Sequence, residues 1–80
     1  MKANGNLRRA MRKIRQFSNT KEWCGYLTPC EMIALLDDGG KETNNSMYQR
    51  EYIQSHIDNG ICNPFWFYFY PSRQQLSKLM

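Results

Sequence analysis

A chain of 80 residues, 41% hydrophobic and 14% aromatic, carries enough apolar material to fold and room for one thin core. Its three cysteines, an odd number, argue against a closed disulfide framework. Its longest apolar runs, Met32–Leu36 and Phe65–Tyr70, fall far short of the roughly 20 residues that cross a bilayer. The net charge of +4 is unevenly spread. Residues 1–21 hold Lys2, Arg8, Arg9, Arg12, Lys13, Arg15 and Lys21 with no acid, whereas residues 22–63 set seven acids against Lys41 and Arg50. Residues 64–80 add Arg73 and Lys78, so a basic arm is joined to an acidic body. Such asymmetry points to an anionic partner for one end. No apolar run follows the N-terminal charges, so no secretory leader is expected, and free thiols fit a reducing cytoplasm.

The first predicted element covers Leu7–Ser18, with Asn6 able to cap it. At 100° per residue, Leu7, Ala10, Met11, Ile14 and Phe17 share an arc of roughly 120°. Arg8, Arg9, Arg12, Lys13 and Arg15 fall opposite. Five like charges repel one another, so this helix depends on docking its apolar side.

The second helix is marked by Thr28-Pro29-Cys30-Glu31, a cap, a proline at the first helical position and a glutamate three residues past the cap. Met32, Ile33, Leu35 and Leu36 form its buried side, and Gly39-Gly40 ends it. Leu27 to Gly39 resembles the opening helix of the helix-turn-helix domains of bacterial response regulators. The polar stretch Gly40–Ser46 departs from that family at the tight turn before the DNA-reading helix, so no DNA-reading role carries over.

A polar loop is expected over Gly39–Ser46, then a third helix over Met47–Asn59, with Ser46 and Gln49 as a capping box and Gly60 as the stop. Tyr48, Tyr52, Ile53, His56 and Ile57 would form its buried side. Phe65–Tyr70, bounded by Pro64 and Pro71, reads as a strand with Phe65, Phe67 and Phe69 on one face and Trp66, Tyr68 and Tyr70 on the other. Its partner is expected to be Trp23–Leu27, interrupted by Gly25, or the same strand of a second copy in a homodimer. Leu76 and Leu79 suggest a frayed terminal helix.

The expected fold is therefore α+β, a small single domain of three helices with one short aromatic strand pairing. Within it, a basic helix spans 6–18, a body 20–71 and a frayed tail 72–80. Arg8, Arg9, Arg12, Lys13 and Arg15 are the expected contacts to nucleic acid or to an acidic protein surface, because cations displace counterions condensed on phosphates. Trp66, Tyr68 and Tyr70 are the expected stacking or interface residues; core filling is the competing role for these rings. Cys24, Cys30, His56 and Cys62 are a weak zinc set, since their spacings exceed those of usual ligand pairs.

Catalysis has little to rest on. A thiol nucleophile needs a base and His56 is the sole histidine, and neither a phosphate-binding glycine loop nor a nucleophile elbow occurs. The expectation is a non-enzymatic cytoplasmic regulator without cofactor that binds RNA or DNA through its arginine-rich helix. The alternative is an accessory protein of the kind phage and mobile elements encode, which binds and inhibits or adapts a larger host protein.

Overall fold

A computed structural model of the chain describes residues 5–14, 22–43 and 49–79. In chain order the elements are α1 (Gly5–Ile14), β1 (Trp23–Leu27), α2 (Pro29–Asp37), β2 (Lys41–Glu42), α3 (Arg50–Asp58), β3 (Phe65–Tyr70) and α4 (Arg73–Leu79). The fold is α+β, with an antiparallel three-stranded sheet in the order β1-β3-β2. The aromatic strand β3 is central. It pairs with β1 from Trp23↔Phe69 to Leu27↔Phe65, and with β2 at Lys41↔Tyr70 and Glu42↔Phe69. The expected pairing with Trp23–Leu27 thus occurs within one chain.

Period-two alternation sets the two faces of this sheet. Phe67 and Phe69 are fully buried and stacked at 5.9 Å, and Trp23 meets Phe69 edge-on at 5.9 Å. Ala10 and Ile14 of α1, Met32, Leu35 and Leu36 of α2, and Ile53 of α3 join them in one core. Each fully buried large side chain contributes about 1.5–3 kcal/mol relative to exposure. Gly25 does not break β1. A Cβ there would stand 2.5 Å from the Trp23 ring, so the missing side chain is the space the indole fills.

Helix α2 begins as its sequence predicts. The Thr28 hydroxyl accepts from the Glu31 backbone N–H at 3.3 Å, and Glu31 Oε1 accepts from the Thr28 N–H at 2.9 Å, with Pro29 just inside. It ends where Gly39 takes a φ of +108° that few other residues adopt. The Gly40 N–H then reaches the Leu35 carbonyl at 2.9 Å.

Three expectations are corrected. Asn6 lies inside the first turn of α1, where its Oδ1 accepts from Arg9 Nη2, rather than capping the helix. The stretch after Gly39 is not all loop: Lys41–Glu42 pairs with the end of β3 as β2. Helix α3 starts at Arg50 behind Gln49, which makes no side-chain cap bond. Instead Glu42 Oε2 accepts from the Arg50 N–H at 2.6 Å, supplying the anion that favours a helix N-terminus. Of the described residues on its expected apolar side only Ile53 is buried, while Tyr52 is 52% exposed. Ser46 and Tyr48 lie outside the described residues.

The C-terminal segment is a helix, as Leu76 and Leu79 suggest, and its first turn is bonded to the body. The Ser72 hydroxyl accepts from the Gln75 N–H at 3.1 Å and Gln75 Oε1 accepts from the Ser72 N–H at 2.8 Å, a reciprocal cap. Gln75 is fully buried and its Nε2 donates to the Leu35 carbonyl at 3.0 Å and to Asp38 Oδ2 at 3.2 Å. These bonds lock α4 to the C-terminal end of α2.

Candidate nucleic-acid interface

Helix α1 packs mainly on α2 and also touches β1 and α4. Ala10 and Ile14 are buried, Leu7 and Met11 are half-buried, and Arg8, Arg9, Arg12 and Lys13 face outward. The amphipathic sorting read from the sequence therefore holds for the described part of the helix. Arg15 and Phe17 lie outside the described residues.

The four described cations are not equivalent. Lys13 Nζ donates to Glu31 Oε1 at 2.9 Å, and that carboxylate is only 3% exposed. One oxygen thus receives both the Lys13 ammonium and the Thr28 N–H. Burial pushes the Glu31 carboxyl up. The Lys13 hydrogen bond, the Thr28 backbone bond, the charge of Lys13 and the Thr28 hydroxyl outweigh it and hold the group below its ordinary value. Lys13 is therefore committed to joining α1 to α2. The other ion pair among the described residues, Arg50–Asp37 at 2.7 Å, also leaves α1 untouched. Arg8, Arg9 and Arg12 thus face solvent without an acidic partner among the described residues, and the neutral amide of Asn6 orients Arg9.

The second expected surface is on the other side of the molecule. The inner sheet face shares the core with Ala10 and Ile14, so the outer face points away from α1. Alternation and register put Cys24 and Tyr26 of β1, Trp66, Tyr68 and Tyr70 of β3 and Lys41 of β2 on that face. Tyr26 is 64% exposed, Trp66 42% and Tyr70 44%, while Tyr68 is half-buried. Tyr26 and Trp66 meet edge-to-face at 5.0 Å, Trp66 and Tyr68 at 6.2 Å.

Sequence reasoning missed Tyr26 and Lys41 on this face. The same alternation that sorted β3 would have placed Tyr26 outward. Lys41 had no local signal, because its position follows from pairing with Tyr70.

The four weak zinc residues are not gathered. Cys24 is on the outer sheet face, Cys30 in the first turn of α2, and Cys62 is exposed with its thiol directed at the Gly60 carbonyl. His56 sits between the rings of Tyr52 and Phe65, at 4.5 Å and 5.2 Å, with Nδ1 3.1 Å from the Tyr52 carbonyl. Among the described residues no three His, Cys, Asp or Glu side chains are grouped to hold a metal ion, and no helix is long and apolar enough to cross a membrane.

Fold and site together define a small α+β domain with a cationic helix on one side and an aromatic sheet face on the other. The chain matches no known protein family, no curated protein and no solved structure.

Proposed function

We propose that this chain is a small non-enzymatic regulator that binds nucleic acid, RNA or DNA, with Arg8, Arg9 and Arg12 of α1 contacting phosphates. One observation carries the reading: three guanidinium groups stand on one solvent-facing side of a docked helix with no acid engaging them among the described residues. Guanidinium forks match phosphate geometry, and releasing counterions from phosphates drives such binding. Arg15 would extend the row in sequence. Lys13 contributes less, being held by Glu31.

The test is a gel-shift titration at low salt with an RNA hairpin, a DNA duplex and a single strand, using the wild type and the triple variant Arg8→Ala/Arg9→Ala/Arg12→Ala. The three side chains are exposed, so the variant keeps the wild-type circular dichroism and melting temperature while its affinity falls. Absence of any shift with all three ligands ends the reading.

An acidic groove on a larger protein would satisfy the same cations, and exposed Trp66, Tyr26 and Tyr70 are side chains that dominate protein interfaces. That accessory-protein reading is the one to pursue if nucleic acid does not bind. A homodimer through the sheet is compatible with either.

A further inference from the structure

We infer that the outer face of the sheet is a stacking platform for the unpaired bases of a single strand, a reading that rests on the nucleic-acid function proposed above and specifies which form of nucleic acid is preferred. The face is mainly aromatic, and none of its strand residues, Tyr26, Trp66, Tyr68, Tyr70, Cys24 and Lys41, is acidic; Glu22 lies just before β1. In a chain with seven acids, strands without a carboxylate on this side repel a phosphate backbone less than the acidic body does. Lys41 is exposed and directly across from Tyr70, which sets one cation at the end of the aromatic row.

The rings are arranged to accept more rings. On the inner face Phe67 and Phe69 stack on each other, 14° from parallel, and are closed to solvent. On the outer face Tyr26–Trp66 and Trp66–Tyr68 meet at 75° and 79°, so neither pair uses a ring face in a mutual stack. Base–aromatic stacking needs exposed ring surface, which Tyr26, Trp66 and Tyr70 retain, and tolerates any base. Alternate residues of β3 stand about 6.8 Å apart, twice the ~3.4 Å repeat of stacked bases. A duplex keeps its bases paired inside and cannot use these rings, whereas a single strand can.

The test uses the two tryptophans as internal reporters. Trp23 is 3% exposed and Trp66 42%, so a ligand on the platform quenches Trp66 and leaves Trp23 unchanged. Oligo(dT) and oligo(rU) of about ten nucleotides, within the usual site size, are titrated into the wild-type chain alongside a duplex of the same length. Binding is followed by anisotropy of the labelled strand and by tryptophan emission.

The platform predicts that single strands bind more tightly than the duplex and quench emission, and that the quench disappears in Trp66→Phe. Tyr26→Ala and Tyr70→Ala, at exposed positions that leave folding intact, each weaken single-strand binding roughly 5- to 100-fold. Single-strand binding that leaves emission unchanged and is indifferent to Tyr26→Ala and Tyr70→Ala overturns the platform while the helix reading stands. Failure of every oligonucleotide to bind removes both. A dimer in sedimentation that Tyr26→Lys dissociates assigns the face to a second copy of the chain and likewise overturns the platform.

Discussion

At the scale of single residues, Glu31 supplies the polar tie that joins α1 to α2. Its carboxylate is nearly buried, accepts from Lys13 and from the Thr28 N–H, and is held below its ordinary pKa. A carboxyl lowered on folding stabilises the fold fully above its unfolded-state pKa and loses that contribution as pH falls through the lowered value. Acid melts should therefore show a stability loss in that window that Glu31→Gln abolishes, with the variant less stable at neutral pH. Lys13→Ala leaves the buried carboxylate without its cation and should cost about 1–2 kcal/mol in urea unfolding, discounted for the half-exposed ammonium. Gly25 is a second sensitive point. Alanine there would meet the Trp23 ring, itself only 3% exposed and unable to swing aside, and should cost about 1–3 kcal/mol by overpacking.

At the scale of elements, what could be read from the sequence divides by how local the cause is. Helix α2 was legible because its cap, its proline and its glycine stop are all adjacent in sequence. The two faces of β3 were legible because alternation needs no partner. Strand β2 was not, because two polar residues form a strand only by meeting Tyr70 and Phe69. The start of α3 was misplaced for a similar reason: Glu42, eight residues away, supplies the bond that its own cap does not. Helix α4 is a different case. Ser72 and Gln75 have the spacing of a capping box, a local signal for the helix start. Gln75→Ala should cost about 1–3 kcal/mol, because the cap, the bond to Leu35 and the bond to Asp38 are lost together. Thermal melts check this, and a change within a few tenths of a kcal/mol would mean that α4 is not tied down as described.

At the scale of the whole molecule, the candidate site is a matter of which surface each charge and ring reaches. Helical periodicity alone placed Arg8, Arg9 and Arg12 outward, because it is a local property of α1. The loss of Lys13 to Glu31 was not legible, since the two are 18 residues apart and meet only when α1 docks on α2. The opposition of the basic helix and the aromatic face was equally hidden, because it follows from Ala10 and Ile14 sharing the core with the inner side of the sheet.

The most direct measurement is the slope of log affinity against log salt for a single strand, in the wild type and in the Arg8/Arg9/Arg12→Ala variant. Three phosphate contacts predict a contribution of about −2 to that slope, equivalent to a roughly 20-fold loss between 50 and 200 mM salt, and the variant should lose that contribution. An identical slope in the two proteins, both of them folded, would contradict the account.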